Sequence, residues 1–301
     1  MSPAFRLPDV DEAVAGALAE DLGVRVTDLS TASPRLLERD VTGSLLPSGA
    51  RFRGTVRFRS GGVVCGLPVA ERAWQLLAAA SGVEAPECFP LVAEGAAVVA
   101  GQAVLEVAGD ARVVLAGERT ALDFVMVLSG IATRAAQWQA AAGPSLTVVD
   151  TRKTMPGLRA LSKYAVTVGG ASNHRMGLFD MVLIKDNHVA AAGGISEAVR
   201  RARELHPSLP VEVEVDSVAQ AGEAAAAGAD MVLLDNMNDG TLAEAVAAVR
   251  AATPAGRTCL TEASGGLTFE RLVRLGATGV DRVSASALTF APPLDVGLDE
   301  G

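Results

Sequence analysis

Cationic side chains gather in one segment of an otherwise acidic chain. The 301 residues carry a formal net charge of −9, whereas residues 150–188 hold six lysines and arginines against three aspartates, a local balance of +3. The six cations are Arg152, Lys153, Arg159, Lys163, Arg175 and Lys185. An arginine fork matches a carboxylate or phosphate through two parallel hydrogen bonds, and a lysine supplies a mobile charge. The segment predicts a pocket for a small anion with several carboxylates or phosphates.

Two other interpretations of these cations are weaker. A nucleic-acid surface is disfavoured because the acidic chain has no basic field to attract a polyanion. A solvated run of charges is common in general, but Lys185 follows the apolar residues 181–184, where a lysine is seldom placed without a partner.

Carboxylates interrupt two other apolar runs. Residues 211–216 alternate Val and acid, which puts Glu212, Glu214 and Asp216 on one side of a strand. Burying them would be costly unless they are paired, and an edge strand with a wet face is the alternative for Glu212. Glu214 and Asp216 lie nearer the strand end, where a role on a ribose hydroxyl or a metal is favoured. Asp235 ends Val-Leu-Leu-Asp in the same way, with a cap on the next helix as its alternative.

Serines and glycines end two further runs. Ser264, Gly265 and Gly266 precede a predicted helix, and Ser284 to Ser286 end the next apolar run. Glycines there let backbone N–H groups point at an anion. Two adjacent strand ends could share one phosphate, as they do in α/β barrels.

The elements that must position these side chains follow from hydrophobic periodicity. Seven strands are predicted, at residues 146–153, 165–169, 181–186, 211–216, 231–236, 258–264 and 282–286. Helical patterns separate most of them, at residues 195–205, 218–227, 242–252 and 269–275. This alternation indicates right-handed βαβ units and a parallel sheet. Polar residues at nearly every strand end favour a barrel over an open doubly wound sheet, which would concentrate them at one switch point.

The first third of the chain predicts an α+β unit. It contains helices at 10–22 and 68–80, a half-buried strand at 51–59, short strands within 96–107 and a long helix at 117–142. The four arginines of residues 51–59 are interpreted as the solvated face of that strand. Tyr164 and His206 are interpreted as structural.

The composition and the first residues of the chain argue against several classes of protein. The three cysteines, Cys65, Cys88 and Cys259, share no close spacing, so neither a zinc site nor a disulfide framework is expected. We expect buried thiols in a reducing compartment instead. The first residues lack the pattern of a signal peptide. No apolar run approaches the roughly 20 residues that span a bilayer. A soluble, cytoplasmic protein is expected.

Read together, four motifs resemble the quinolinate phosphoribosyltransferase family, also called carboxylating nicotinate-nucleotide pyrophosphorylase. They are Asp150-Thr-Arg-Lys-Thr-Met-Pro-Gly-Leu-Arg159, Lys163-Tyr-Ala-Val166, Ser172-Asn-His-Arg175 and Leu183-Ile-Lys-Asp-Asn-His188. Further matches, such as Glu118-Arg-Thr-Ala-Leu122 and Glu262-Ala-Ser-Gly-Gly266, run through most of the chain. The resemblance implies an N-terminal α/β sandwich domain at 1–116, with the tail 287–301 as a candidate addition to it. An incomplete α/β (TIM-like) barrel would follow at 117–286, in a homodimer or larger homo-oligomer.

The resemblance also implies an activity. Family members transfer phosphoribose from phosphoribosyl pyrophosphate to quinolinate and release carbon dioxide, giving nicotinate mononucleotide for NAD biosynthesis. Three alternatives stay open: a paralogue acting on another pyridine or aromatic carboxylate, a descendant that binds without turnover, and a generic barrel aldolase using Lys185 as a Schiff-base lysine.

Positions that match the family motifs inherit expected roles. Quinolinate and pyrophosphate would be held by Arg119 (from the neighbouring subunit), Thr151, Arg152, Lys153, His174, Arg175 and Lys185. The phosphoribose would be held by Glu214, Asp235, Ser264, Gly265, Gly266, Ser284 and Ser286. The catalytic set would be Lys153, Lys185, Glu214 and Asp235, of which Glu214 and Asp235 would also bind Mg²⁺.

The chain departs from the family pattern at a few positions. Ala171 and Ser286 stand where glycine is expected, Phe290 stands where histidine is expected, and residues 27–38 look like an insertion. Ser286 matters most, because a side chain there enters a loop whose backbone should approach a phosphate closely.

Overall fold

The computed structural model describes residues 6–301. The helices are α1 (Asp11–Leu22), α2 (Leu67–Ser81), α3 (Ala111–Ala142), α4 (Arg159–Val168), α5 (Asp186–Ala192), α6 (Ile195–Leu205), α7 (Val218–Ala226), α8 (Asp239–Ala252) and α9 (Phe269–Leu275). The strands are β1 (Arg51–Phe58), β2 (Gly62–Val63), β3 (Glu87–Pro90), β4 (Ala97–Val98), β5 (Ala103–Asp110), β6 (Thr147–Val149), β7 (Val182–Ile184), β8 (Val211–Val215), β9 (Met231–Asp235), β10 (Leu260–Ser264), β11 (Arg282–Ser284) and β12 (Val296–Glu300).

The chain divides into two compact units. The first comprises Met1–Arg134, Met155–Gly169 and Phe290–Gly301, and the second comprises Ala135–Thr154 and Gly170–Thr289. The domain boundaries expected from the sequence, 1–116 and 117–286, stay a prediction.

The first unit is built on an antiparallel sheet with strand order β12-β1-β5-β3. Strand β1 alternates as predicted, with Val56 and Phe58 buried beneath an exposed arginine face. Two arginines of this face form ion pairs within the unit, since Arg53 lies 2.7 Å from Glu106 and Arg59 lies 2.5 Å from Asp299. The predicted insertion, residues 27–38, forms 3₁₀ turns at Val26–Ser30 and Pro34–Arg39.

The second unit contains the parallel sheet that the alternating pattern predicted. Its six strands have the order β6-β11-β10-β9-β8-β7. Within this sheet, the strand that comes last along the chain, β11, returns to pair with the one that comes first, β6, whereas β6 and β7 lie at opposite ends of the order. A closed barrel would join those ends, so the sheet is the incomplete barrel that was expected.

Two elements differ from the prediction. Residues 165–169, predicted as a strand, lie at the end of α4 and just beyond it, because a short apolar run cannot be told from a buried helical turn by periodicity alone. The sheet therefore has six strands instead of seven. Helix α3 begins at Ala111, six residues before the predicted start at 117. Gly117 is a packing position inside it, where a Cβ would lie 2.7 Å from Trp74.

The three cysteines are free thiols, with Cys65 buried and the other two half-buried. Burial raises the pKa of Cys65, and it raises the pKa of Cys88 to about 12 and that of Cys259 to about 11. All three are therefore protonated and unreactive at neutral pH.

Candidate active site

A cavity of about 600 Å³ lies at the carboxyl ends of the parallel strands in the second unit. Parallel register brings these ends together: Asp235 pairs with Ser264 across β9 and β10, and Ser284 pairs with Val149 across β11 and β6. The wall contains every residue to which the family resemblance gave a role except Arg119, namely Thr151, Arg152, Lys153, His174, Arg175, Lys185, Glu214, Asp235, Ser264, Gly265, Gly266, Ser284 and Ser286. Asp216, for which a role on a ribose hydroxyl or a metal was also favoured, is not among the lining residues.

Two arginines face the cavity close to one another. Burial and the neighbouring charge of Arg152 lower the pKa of Arg175. Both side chains are half-buried, and Arg175 Nη1 reaches the carbonyl of Met181 at 3.4 Å. Like charges held together in a partly desolvated wall favour an anion between or above them.

Lys185 forms an ion pair with Glu214 from the neighbouring strand. It is the residue just beyond β7, where it precedes α5, so its side chain leaves the sheet at the mouth and is 44% exposed. An exposed ammonium paired to a carboxylate suits charge neutralisation of a ligand.

Asp235 is held by its neighbour and does not cap a helix. Asn236, the one non-glycine residue with positive φ among those described, has φ of 56° and donates from Nδ2 to Asp235 Oδ2 at 2.7 Å. Helix α8 is capped by Asn238 instead, whose side chain accepts from Thr241 N–H. The capping alternative for Asp235 is therefore wrong.

Gly265 lies against the Asn236 backbone. A Cβ at Gly265 would lie 2.1 Å from Asn236 Oδ1 and 2.9 Å from Asn236 N, and its φ is +91°. The Asn236 N–H donates to Ser264 O at 3.0 Å. Two strand ends, one with Asp235 and one with the Ser264–Gly266 turn, are thus packed together through a position that only glycine fits.

The loop after β11 adjoins the segment after β6. Thr289 Oγ1 lies 2.6 Å from Lys153 O and 3.2 Å from Ser286 O. Ser286 is half-buried in the cavity wall, so the serine found in place of the expected glycine faces the region predicted to hold a phosphate. Ala171, the other departure in this unit, is buried, and its neighbour Ser172 forms a parallel bridge with Val149 of β6.

A buried charged network that the sequence did not reveal adjoins the cavity, whose wall includes His174 and Glu262. His174 Nε2 is 2.8 Å from Glu212 Oε2 and 3.5 Å from Glu262 Oε1, and Arg282 Nε is 3.3 Å from Glu262 Oε2. Both glutamates are fully buried. The alternative that Glu212 lies on the solvent-exposed face of an edge strand is wrong, because β8 lies between β7 and β9. A carboxylate in the middle of the predicted strand 258–264 was the available signal for Glu262.

Burial and neighbouring charges shift the acid–base properties of this network. Burial and the charge of Glu212 raise the pKa of Glu262 to about 7. Burial opposes a charge on His174, but the contacts with Glu212 and Glu262 outweigh it and raise its pKa.

A magnesium ion at the mouth of the cavity would need further oxygen ligands from a bound substrate. Glu214 and Asp235 offer two carboxylates on adjacent strands, which matches the way Mg²⁺ is commonly bound by one or two carboxylates plus substrate phosphates. Within residues 6–301, the one group whose three ligand atoms lie within 4.8 Å of one another is His174, Glu212 and Glu262. Arg282 beside Glu262 opposes a cation there.

Arg119 belongs to the first unit. It lies on α3, pairs with Asp123 at 3.2 Å, and has 58% of its side chain exposed. It lines a separate concavity of about 770 Å³ formed within that unit.

A parallel, incomplete barrel with a cationic pocket and two carboxylates at its mouth defines a class of enzyme that binds polyanionic substrates. The model of the quinolinate phosphoribosyl transferase C-terminal domain matches residues 131–299, and that of the N-terminal domain matches residues 40–129. The chain belongs to the quinolinate phosphoribosyl transferase family.

Named relatives and solved structures agree with the family models. A probable nicotinate-nucleotide pyrophosphorylase (carboxylating) of Synechocystis sp. is 45% identical over 83% of this chain and 84% of its own. The Mycobacterium leprae protein of that name is 42% identical over 86% and 89%. The nicotinate-nucleotide pyrophosphorylase structure from Francisella tularensis superposes with a TM-score of 0.85 at 31% identity, covering 99% of this chain and 98% of that one.

A helix that crosses a bilayer needs about 20 consecutive, predominantly apolar residues. None of the helices within residues 6–301 combines the length and apolar character needed to cross a membrane.

Proposed function

We propose that this chain transfers the phosphoribosyl group of phosphoribosyl pyrophosphate to quinolinate and releases pyrophosphate and carbon dioxide, forming nicotinate mononucleotide. Membership of the family supports the reaction. The observation that carries it is the pair of crowded, half-buried guanidinium groups of Arg152 and Arg175 at one wall of the cavity. A dicarboxylate acceptor is the ligand that would neutralise the positive charges of these two groups.

The two substrates repel one another before they bind. Quinolinate carries two carboxylates, and its cosubstrate carries a phosphate and a pyrophosphate. Fixed cations remove that repulsion in a partly water-excluded cleft, where electrostatic interactions are stronger than in water. We assign Thr151, Arg152, His174 and Arg175 to the acceptor side, and Lys153 and Lys185 to the charge that grows on departing pyrophosphate.

The opposite wall suits the phosphoribosyl group. Glu214 and Asp235 would accept hydrogen bonds from ribose hydroxyls and, with the substrate phosphates, would hold Mg²⁺. When bound, the ion would neutralise the pyrophosphate. The 5′-phosphate would lie on the N–H groups and hydroxyls of two strand ends, contributed by Ser264, Gly265, Gly266, Ser284 and Ser286.

The chemistry then requires little proton transfer. The pyridine nitrogen forms a bond to the ribose anomeric carbon while the bond from that carbon to pyrophosphate breaks. The ring nitrogen becomes cationic, which stabilises negative charge at the adjacent carbon. The carboxylate on that carbon leaves as carbon dioxide, and the carbon takes up one proton from solvent. Binding, orientation and charge neutralisation therefore provide most of the rate.

Two features of the assembly extend this proposal. Arg119 is exposed on α3 of the first unit and is not among the residues that line the cavity of the second unit. A homodimer, or a larger homo-oligomer, in which the partner's α3 supplies this arginine would complete the acceptor site. A cytoplasmic location fits its substrates and its three free thiols.

The test is release of pyrophosphate and carbon dioxide from quinolinate and phosphoribosyl pyrophosphate, with and without Mg²⁺. Stoichiometric release of both products in the presence of Mg²⁺ is expected. Turnover of another pyridine or aromatic acid, but not of quinolinate, would show a paralogue. Binding without turnover of any acceptor would show a non-catalytic descendant. Either result overturns the proposal.

A further inference from the structure

The backbone of Lys153 is held at both of its hydrogen-bonding groups by threonine hydroxyls. Its N–H donates to Thr151 Oγ1 at 2.9 Å, and its carbonyl accepts from Thr289 Oγ1 at 2.6 Å. Lys153 is exposed at the cavity wall, so the position of its ammonium group depends on the backbone that carries it. Thr151 is a near neighbour in the chain, whereas Thr289 comes from the segment after β11. The contact with Thr289 therefore fixes Lys153 relative to another part of the wall.

The hydroxyl of Thr289 also lies against the loop that follows β11. Its oxygen is 3.2 Å from Ser286 O, three residues earlier in the chain. A hydroxyl has one proton to donate, and the shorter distance assigns that proton to Lys153 O. Thr289 is 2% exposed, and the start of its loop is tied to β6 because Ala285 N–H donates to Val149 O at 3.0 Å. The hydroxyl thus joins two loops from a position that is itself held by packing.

These two loops have been assigned to opposite ends of one substrate. Under the proposed function, Lys153 meets the charge that grows on departing pyrophosphate, and Ser284 and Ser286 hold the 5′-phosphate. The distance between the loops must therefore match the length of phosphoribosyl pyrophosphate. A reacting group that is misplaced by about 1 Å can cost about 100-fold in rate.

We propose that Thr289 is a positioning residue, whose hydroxyl sets the spacing between the pyrophosphate end and the 5′-phosphate end of the site. Thr289 is not among the residues that line the cavity, so it acts through the backbone of Lys153 and the turn that contains Ser286. The inference rests on the proposed function, because that function supplies the two ends of the substrate.

Steady-state kinetics of two substitutions test the hydroxyl. Thr289→Val removes it and nearly preserves the shape of the side chain, whereas Thr289→Ser keeps it. We expect Thr289→Val to lower kcat/KM for phosphoribosyl pyrophosphate about 10-fold or more, and Thr289→Ser to recover most of that loss. The quinolinate KM should change little in either. An unchanged kcat/KM in Thr289→Val, or an equal loss in both variants, would overturn the proposal.

Two further comparisons guard against an effect on folding alone. Thr253 Oγ1 donates to Val249 O at 2.7 Å at the end of α8, outside the cavity wall. Thr253→Val therefore removes a matched hydroxyl and should leave the kinetics as in wild type. If Thr289→Val does not fold, Thr289→Ala and Thr289→Ser form the matched pair, since both lack the methyl group and only the serine keeps the hydroxyl.

A double-mutant cycle tests whether Thr289 acts through Lys153. Lys153→Ala removes the ammonium group, so in that background Thr289→Val should lose little further activity. If the loss caused by Thr289→Val is as large in Lys153→Ala as in wild type, the residue has a general structural role and the inference is wrong.

Binding of inorganic pyrophosphate without an acceptor separates this inference from the proposed function. In isothermal titration calorimetry, Thr289→Val should bind pyrophosphate more weakly than wild type does, and Thr289→Ser should bind it about as well. Equal affinities of wild type and Thr289→Val would refute the positioning role, whether or not the protein turns over quinolinate. The expected affinities together with no turnover in wild type would refute the proposed function alone.

Discussion

Gly265 is a position at which one methyl group should disturb two walls of the cavity. In Gly265→Ala, the new Cβ would lie 2.1 Å from Asn236 Oδ1 and 2.9 Å from Asn236 N, at a φ of +91°. The side-chain oxygen can rotate away, but the backbone nitrogen cannot, because its N–H is bonded to Ser264 O. Left-handed backbone costs an alanine about 1–2 kcal/mol, and overpacking adds about 1–3 kcal/mol. We expect a loss of about 2–5 kcal/mol in the free energy of unfolding.

The neighbouring glycine provides a matched control. Gly266 also has positive φ, at +53°, but a Cβ there meets no atom within 4 Å. Gly266→Ala should therefore lose only the backbone contribution, about 1–2 kcal/mol. Urea unfolding of both variants measures the difference. Because Asn236 also holds Asp235, Gly265→Ala should raise the KM for phosphoribosyl pyrophosphate about 10-fold, equivalent to about 1.4 kcal/mol. Equal stabilities for the two variants would refute this account of the packing.

Three further predictions concern other parts of the molecule. Arg175→Ala should weaken quinolinate binding by about 2–5 kcal/mol because a charge pair is lost, with Arg175→Lys intermediate; an unchanged quinolinate KM would contradict the assignment. Glu262→Gln should flatten the pH dependence of stability. Since the pKa of Glu262 is raised to about 7 in the folded state, its contribution is present below about pH 4.5 and is lost as pH rises through 7, by up to about 3 kcal/mol. Urea midpoints of wild type and variant at pH 4.5, 6 and 8 should diverge with pH, and parallel curves would contradict the prediction. Glu94 accepts from Gly66 N at 2.5 Å and from Tyr164 OH at 3.1 Å, so Glu94→Ala should cost about 2–4 kcal/mol. Glu94→Gln keeps one acceptor and should lose less in thermal unfolding.

Much of the site could be predicted because parallel strands bring their carboxyl ends to one edge. Thr151 to Lys153, Glu214, Asp235 and Ser264 each end an apolar run, and all of them line the same cavity. Strand β1 could also be predicted from the sequence, because its alternation of arginine with buried residues depends only on neighbours in the chain. The error in the number of strands of the parallel sheet, at residues 165–169, arose where a run of five residues fits a buried helix as well as a strand.

The sequence by itself determined the family, the parallel sheet and an anion site at the mouth of that sheet. Local charge, short motifs and hydrophobic periodicity indicate these features, and each depends only on residues that are close together in the chain. Only the tertiary structure decided which way individual polar side chains turn. His174 lines the cavity as expected, and its ring nitrogens also lie near Arg175 N–H and the buried Glu212. Glu212 and Glu262 are fully buried next to the cavity, and Arg282 pairs with Glu262. These partners come from different strands, and a buried charge is stable only where such partners converge, which local sequence does not specify.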